Sequence, residues 1–175
     1  MSNVLKVYRM AADVKNLHKA TTHSACYDIH AYLGTNSRIV NCYDSFGGNY
    51  SKVAAKSTDD SSFEISVDPM ERIIVPTGII LDIPVGYSVR IHPRSGKSIK
   101  EGCTLVNCEG VIDSDYNLEI GIPIINLSDK EFAIKHGDRI AQLELIKNEE
   151  YDIAYISNRP INKSERIGGF GSTGK

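Results

Sequence analysis

Apolar side chains recur at every second position through most of the middle of this chain. Successive side chains of a β-strand point to opposite faces, so each alternating run predicts a strand with one buried face. Prolines separate the runs at spacings that suit short strands and would interrupt helices. No segment shows a sustained apolar period of 3.6 residues, although the pattern leaves room for a short helix. The alternating positions are Ile65 and Val67; Ile73 and Val75; Ile79, Leu81 and Ile83; Tyr87, Val89 and Ile91; and Leu118, Ile120, Ile122 and Ile124.

Many short strands punctuated by turn residues predict an all-β domain. Such a pattern is typical of a sandwich, a jelly roll or a barrel. A chain of 175 residues forms one domain by default, and a domain of this size buries roughly 70% of the surface of its unfolded chain. We therefore expect a single β domain over residues 1–159.

Two segments interrupt the strand pattern. Residues 35–62 are polar and rich in turn residues, which predicts an inserted surface loop. The segment also contains Tyr43, Phe46 and Tyr50, so it is either a plain solvated loop or a contact surface for another subunit or another protein. Residues 160–175 are polar and glycine-rich with little apolar surface to bury, which predicts a flexible C-terminal arm.

Charge and composition exclude several classes of function. A formal net charge of −2 gives no basic surface for direct nucleic-acid binding. No stretch reaches the roughly 20 apolar residues needed to cross a bilayer, and the N-terminus lacks the apolar region of a signal peptide. The four cysteines form no CxxC pair and no His/Cys metal spacing, which indicates reduced thiols. We therefore expect a soluble, cytoplasmic protein that does not bind a membrane.

The run from Gly110 to Tyr116 carries the most distinctive polar chemistry. Asp113 and Asp115 are one residue apart, and in an extended strand they would lie on the same face. Two adjacent carboxylates repel each other, so a fold seldom retains them without a reason, although an Asp also often accepts backbone hydrogen bonds in a turn. Together with Pro93-Arg94-Ser95-Gly96 and a glycine-rich C-terminus, these acids indicate chemistry on a phosphate.

In this order, the motifs closely resemble the five motifs of the trimeric dUTP pyrophosphatase (dUTPase) family. The resemblance is almost continuous from residue 67 to residue 174, with the first motif lying further upstream. One motif alone would be weak, whereas five in the right order are specific. The five are Ala25-Cys26-Tyr27-Asp28-Ile29; Pro93-Arg94-Ser95-Gly96 with Lys100 and Gly102; Asn107 to Tyr116; Gly137-Asp138-Arg139-Ile140-Ala141-Gln142-Leu143; and the glycine-rich C-terminus.

The resemblance implies a jelly-roll-like homotrimer that hydrolyses dUTP to dUMP and pyrophosphate. By position, Asp113 matches the general base that orients the attacking water. Asp28 matches the residue that holds Mg²⁺ indirectly, through water, as suits a cation that keeps several waters and binds mainly substrate phosphates. The reaction would limit uracil in DNA and supply dUMP for dTMP synthesis.

The resemblance also implies how the substrate is bound. Tyr116 would pack under the sugar and exclude a 2′-hydroxyl, while Asn107 and the backbone from Gly110 to Ile112 would recognise uracil. The phosphates would be bound by a short turn, by one amide and by the C-terminal arm, whose Phe170 would stack on the base. These residues are Arg94, Ser95 and Gly96 in the turn, Gln142, and Arg166, Gly169, Phe170, Gly171 and Ser172 in the arm.

Three positions depart from the usual family pattern. Asn117-Leu118 stands where Arg-Gly usually follows the tyrosine of the third motif, and Cys26 replaces a common glycine. The fifth motif is one residue shorter than in many members between Arg166 and Phe170. None of these departures involves Asp113, so the implied reaction is unchanged.

Two other functions stay open from the sequence. A dCTP deaminase, or a bifunctional deaminase–dUTPase, shares the fold but needs a carboxylate that moves protons at cytosine C4. Glu119 lies three residues beyond Tyr116, which fits that requirement poorly. A non-enzymatic, nucleotide-sensing protein could also be built on this fold.

Overall fold

The computed structural model describes residues 4–34, 38–58 and 62–165. Every pairing between the strands of this part is antiparallel, and its one helix has seven residues. No helix within these ranges is long and apolar enough to cross a membrane. The strands are β1 (Lys6–Arg9), β2 (Tyr27–His30), β3 (Ile39–Tyr43), β4 (Asn49–Val53), β5 (Ala55–Lys56), β6 (Phe63–Val67), β7 (Arg72–Pro76), β8 (Ile79–Asp82), β9 (Tyr87–His92), β10 (Cys103–Leu105), β11 (Gly110–Ile112), β12 (Gly121–Asn126), β13 (Phe132–Lys135) and β14 (Arg139–Lys147), and the helix is α1 (Ser95–Glu101).

The strands form four sheets around one hydrophobic core. A five-stranded sheet has the order β10-β12-β7-β3-β4, and a four-stranded sheet has the order β11-β9-β14-β2. Two smaller sheets pair β1 with β8 and join β13, β6 and β5. Strands that are distant in sequence lie side by side in each sheet, as in a jelly roll. The prediction of an all-β, jelly-roll-like fold is confirmed.

The alternating apolar positions build the core as predicted. Ile73 and Val75 on β7 pair with Ile124 and Ile122 on β12, and all four side chains are completely buried. Each such side chain contributes about 1.5–3 kcal/mol relative to an exposed position. The last predicted run is shorter than expected, because Leu118 lies before β12 and is exposed.

The segment predicted to be an inserted polar loop is a β-hairpin in its described part. β3 pairs with β7 on one side and with β4 on the other, so the segment widens the five-stranded sheet. Val40, Cys42 and Ala54 are at most 1% exposed and belong to the core. The prediction of a loop was therefore wrong, because these apolar side chains bury their surface. Phe46, near the tip, is exposed, and a partner-binding role for the hairpin stays a prediction.

A buried carboxylate fastens this hairpin to the rest of the sheet. Glu71 is 2% exposed, and one of its oxygens accepts a hydrogen bond from the Tyr50 hydroxyl. Its other oxygen accepts from the Lys52 ammonium and from the backbone N–H of Asp68, each at 2.7 Å. Burial disfavours the charge on Lys52, but hydrogen bonds to Glu71 and Asp68 outweigh burial and raise the pKa of Lys52. The ammonium therefore remains charged and pairs with the buried acid.

The chain leaves the sheets after β14. Residues 148–165 form no helix or strand and are exposed, including Tyr151 at 80% and Tyr155 at 98%. The exposed C-terminal segment therefore begins at residue 148, whereas the sequence pattern predicted that the arm begins at residue 160. Residues 166–175 lie outside the described part of the chain.

Replacing Glu71 with Ala should lower the free energy of unfolding by about 2–4 kcal/mol, because the Tyr50 hydroxyl, the Lys52 ammonium and the Asp68 N–H would lose their buried acceptor. Chemical denaturation followed by circular dichroism measures this change. Glu131→Ala, at an exposed position, is the matched control and should change the free energy by less than about 0.5 kcal/mol. Equal effects of the two substitutions would show that Glu71 does not fasten the hairpin.

Candidate active site

The four-stranded sheet β11-β9-β14-β2 assembles four of the five sequence motifs. Asp28 lies on β2, Gln142 lies on β14, and β9 leads directly into Arg94. Asn107 precedes β11, at the other edge of the sheet. In this register Gln142 is opposite Asp28 on one side and opposite His92 on the other. Backbone pairing therefore brings together motifs that are far apart in sequence.

Asp28 is the centre of a charged cluster at one end of this sheet. Its side chain is nearly buried and lies 3.1 Å from Arg94 Nε and 3.2 Å from Arg139 Nη1. His18 Nε2 lies 3.9 Å from the same carboxylate. Two guanidinium groups around one carboxylate leave an excess of positive charge even when His18 is neutral, and this excess favours an anion such as phosphate.

The predicted phosphate-binding turn is instead the start of a helix. Arg94 is the N-cap of α1 with extended backbone, and Ser95 and Gly96 are in the first helical turn. The first N–H groups of a helix have no acceptor within the helix, so the amides of this turn can bind an anion. Gln142 Nε2 donates to the Pro93 carbonyl at 3.0 Å, which fixes the amide beside the same turn.

β11 presents a backbone edge at the opposite side of the sheet. It pairs with β9 alone among the described strands, so its outer edge offers alternating N–H and C=O groups. Gly110 makes this pairing possible, because a Cβ at that position would lie 3.0 Å from the Cβ of Ile91. The side-chain amide nitrogen of Asn107 lies 3.8 Å from the point where that Cβ would be. The half-buried Ile112 completes a short edge that starts beside an amide, as the predicted uracil site requires.

Asp113 and Asp115 do not share a strand face, contrary to the prediction. β11 ends at Ile112, and the chain turns so that the Tyr116 N–H donates to the Asp113 carbonyl at 3.2 Å. Both carboxylates are exposed on this turn. The Tyr116 hydroxyl donates to the Glu119 carbonyl at 3.1 Å, which holds the half-exposed ring against the turn. Asp113 and Tyr116 therefore lie on one turn, joined by a backbone hydrogen bond.

Within one chain, the two halves of the site lie at opposite ends of the sheet. Ile112 pairs with Val89, so Asp113 follows at the level of Ser88. Arg94 lies six residues further along the chain than Ser88. At about 3.3 Å per residue, these six residues separate Asp113 from Arg94 by roughly 20 Å. A phosphate bound at Arg94 is therefore out of reach of Asp113 of the same chain.

A second set of polar side chains beside the charged cluster was not predicted. His92 Nε2 lies 3.0 Å from Glu144 Oε1, and His92 Nδ1 lies 3.5 Å from Glu109 Oε1. Burial and the nearby Glu144 carboxylate raise the pKa of the Cys26 thiol. Arg139 was likewise absent from the predicted site. Local spacing carries no signal for these contacts, because strand pairing alone brings the residues together.

The fifth motif cannot be placed. Its predicted substrate-binding residues, Arg166, Gly169, Phe170, Gly171 and Ser172, all lie outside the described residues. Their contacts with substrate stay predictions.

Asp28→Asn should lower the free energy of unfolding by about 1–3 kcal/mol, because Arg94 and Arg139 would lose their shared counter-ion. Both arginines are partly exposed, so water limits the loss. Denaturant titration provides the measurement, with the exposed Asp129→Asn as a control that should leave the midpoint unchanged. An Asp28→Asn midpoint equal to that of the control would contradict a central role for this carboxylate.

Known proteins resemble this chain over most of its length. A family model described as dUTPase matches residues 60–174. A deoxyuridine 5'-triphosphate nucleotidohydrolase from Finegoldia magna is 43% identical over 141 residues, which cover 78% of this chain and 97% of that protein. A protein of the same name from Syntrophotalea carbinolica is 46% identical over 112 residues, which cover 63% of this chain and 75% of that protein.

Solved structures share the fold at much lower identity. A Staphylococcus bacteriophage 80alpha dUTPase aligns with a TM-score of 0.72 and 20% identity over 99% of each chain. The dUTPase from phage phi11 of S. aureus aligns with a TM-score of 0.63 and 20% identity, covering 90% of this chain and 98% of that chain. Identities this low show the fold alone. Because the family model matches more than half of the chain and the F. magna relative aligns over most of both proteins, this chain belongs to the dUTPase family.

Proposed function

We propose that this chain hydrolyses dUTP to dUMP and pyrophosphate by attack of water on the α-phosphate. The relatives from F. magna and S. carbinolica are named for hydrolysis of deoxyuridine 5'-triphosphate, and one 80alpha dUTPase was solved with dUpNHpp. The observation that carries the proposal is the convergence of Asp28, Arg94 and Gln142, from three motifs, at one end of one sheet. This reaction would limit uracil in DNA and supply dUMP for dTMP synthesis.

The phosphate end of the site is cationic and rich in donors. Phosphate oxygens would accept charge-assisted hydrogen bonds from the N–H groups of Arg94 and Arg139 that do not contact Asp28. The first amides of α1 would add neutral donors. Gln142, fixed by its bond to the Pro93 carbonyl, would contact the α-phosphate.

We include Mg²⁺ as the cofactor, held by Asp28 through water. Both Asp28 oxygens contact guanidinium groups, which fits an indirect contact better than direct coordination. Substrate phosphates and water would supply the other Mg²⁺ ligands. The bound cation would neutralise phosphate charge and stabilise the leaving pyrophosphate. One phage phi11 dUTPase structure is described as having a structural Mg(II) ion.

The outer edge of β11 would read the base. Uracil presents two carbonyl oxygens and one N–H, which complement backbone N–H and C=O groups and the Asn107 amide. Cytosine would leave buried groups unpaired, at a cost of about 1–3 kcal/mol. Tyr116, held by the Glu119 carbonyl, would pack under deoxyribose and clash with a 2′-hydroxyl.

Asp113 would activate the attacking water. Its carboxylate is exposed on the turn beside Tyr116, so a water bound there would lie next to the sugar and its 5′-phosphate. A positioned general base of this kind contributes typically about 10²–10⁴-fold to the rate.

The two halves of each active site would come from different chains of a homotrimer. Within one chain, Asp113 and Arg94 lie at opposite ends of the sheet. A cyclic oligomer places one end of each chain beside the opposite end of its neighbour, so every site becomes complete. The family resemblance supplies the number of three chains.

An open groove and the exposed segment of residues 148–165, which leads into the C-terminal arm, fit this assembly. The groove encloses about 660 Å³ and is lined partly by Leu5, Leu17 and Tyr27, with Arg9 and Lys15 at its side. Residues 148–165 offer exposed apolar side chains, and Glu149, Glu150 and Asp152 give them negative charge. Apolar surface and opposite charge on the two partners favour insertion of the arm of one chain into the groove of another.

The C-terminal motif would then cover the substrate. Arg166 would neutralise the γ-phosphate, and Phe170 would stack on the uracil ring between Gly169 and Gly171. Ser172 would add a hydroxyl donor to the phosphates. Closure of such a segment excludes water other than the attacking molecule.

The deaminase alternative is disfavoured by the position of Glu119. Its carboxylate pairs with Arg38 and accepts a hydrogen bond from the Gly78 N–H at 2.7 Å. A carboxylate with this structural role is not free to move protons at cytosine C4. Turnover of dUTP at catalytic protein concentration would exclude a purely nucleotide-sensing role.

Asp113→Asn should lower kcat by about 10²–10⁴-fold with little change in KM, because Asn keeps the shape but cannot accept a proton. Pyrophosphate release from dUTP measures the rate. Asp115→Asn, on the same exposed turn, is the matched control and should retain activity within about tenfold, since we assign this residue no proton transfer. Retained turnover in Asp113→Asn would place the base elsewhere.

Mixed oligomers test whether the site is shared. Asp113→Asn and Arg94→Ala chains, each inactive alone, should recover about a quarter of wild-type turnover after co-refolding, because random assortment pairs intact halves. Arg94→Ala mixed with Gln142→Ala should recover none, since both changes affect the same half. Light scattering should give the mass of three chains. A monomer mass would refute the shared site. So would a first mixture that forms trimers but recovers no turnover. Neither result would affect the proposed reaction, which the Asp113→Asn variant tests separately.

A further inference from the structure

Cys26, His92 and Glu144 meet on the outer face of the four-stranded sheet. Their sulfur, ring nitrogen and carboxylate oxygen atoms all lie within 4.8 Å of one another, and the three residues are partly buried. Cys26 immediately precedes β2, His92 ends β9, and Glu144 lies on β14 between those two strands. Within residues 4–34, 38–58 and 62–165, this is the one group of three or more potential metal-ligating side chains.

We propose that these three side chains form a binding site for Zn²⁺ or a similar thiophilic divalent cation. Thiolate, imidazole and carboxylate bind Zn²⁺ at about 2.0–2.3 Å, and three protein ligands leave one tetrahedral position for water. Ligand atoms of such a site are about 3.5 Å apart. His92 Nε2 and Glu144 Oε1, at 3.0 Å, are already this close, and the most widely spaced donors need to approach by at most roughly 1 Å. Sulfur ligands disfavour Mg²⁺, which prefers oxygen.

Glu109 gives His92 the orientation that a metal ligand needs. His92 Nε2 faces Glu144, whereas Nδ1 lies 3.5 Å from Glu109 Oε1. Arg90 Nε lies 3.8 Å from the other Glu109 oxygen. A ligating histidine commonly donates its second N–H to a carboxylate, which fixes the tautomer and the ring orientation. Glu109 lies within 3.5 Å of the nitrogen that would donate in this arrangement, so a small shift would complete the carboxylate–histidine pair.

An ion pair without metal would explain only part of this group. In such an ion pair the His92 ring would contact the carboxylates of Glu109 and Glu144, and Cys26 would have no role. Cys26 stands where the family resemblance leads us to expect glycine, so the thiol is a property of this chain. A cation bound here would join β2, β9 and β14, the strands that position the phosphate-binding residues. The site is separate from the water-mediated Mg²⁺ proposed at Asp28.

Titration of the tag-free, metal-stripped oligomer with Co²⁺ tests the proposal directly. We expect one Co²⁺ per chain, with a thiolate-to-cobalt charge-transfer band that Zn²⁺ removes and excess Mg²⁺ does not. Zn²⁺ should also raise the thermal denaturation midpoint, because it binds the folded state. Failure to bind any Co²⁺ or Zn²⁺ would overturn the proposal without affecting the proposed dUTP hydrolysis.

Matched variants locate the bound cation. Cys26→Ser should remove the charge-transfer band, and His92→Gln should weaken Co²⁺ binding at least tenfold. Glu109→Gln should keep the band but weaken binding by about 10–100-fold. Cys108→Ser, which changes an exposed thiol outside the group, should behave as wild type. Loss of the band in Cys108→Ser rather than Cys26→Ser, or unchanged affinity in His92→Gln, would refute the site, and metal-free melting curves show that each variant is folded.

Discussion

The pairing of β14 with β2 on one side and with β9 on the other is the constraint on which the site depends. This register opposes Gln142 to Asp28 and to His92, and it places Arg94 at the edge of the same cluster. The register and the charges support each other. A nearly buried Asp28 without its arginines would be an uncompensated charge, and the two arginines without Asp28 would repel each other. The strand register and the charges of these side chains therefore stabilise the same arrangement.

The same register also separates chemical roles along the sheet. Antiparallel strands run in opposite directions, so β9 carries the chain toward the cationic end while β11 carries it away from that end. One sheet therefore carries two chemically distinct surfaces, a charged end around Asp28 and a neutral backbone edge along β11. Their distance is the reason why the proposed reaction needs several chains, since no small side-chain movement closes a gap of roughly 20 Å.

Local sequence patterns predicted the strands in which every second side chain is apolar. They did not predict contacts that depend on which residues of two strands are paired. The alternation of Ile73, Val75, Ile122 and Ile124 identified β7 and β12, because every second residue is buried. The hairpin of β3 and β4 was missed, because β4 is polar and mostly exposed, and the buried Glu71 that holds it lies outside the segment. The family resemblance selected Asp28, Arg94 and Gln142, and strand pairing brings them together. Neither source revealed that Asp28 holds Arg139, since no local spacing encodes a contact between residues so far apart.

β11 has an exposed edge but is too short to be a strong template for aggregation. An unpaired edge is a template for any extended chain, and long edges invite aggregation. Here the strand has three residues, begins at a buried glycine and ends in a tight turn. An edge of this length offers only three residues as a template for another chain, so it limits the length of any added strand. Its shortness therefore leaves the edge open to small polar molecules while it limits edge-to-edge aggregation, and a longer strand would favour aggregation.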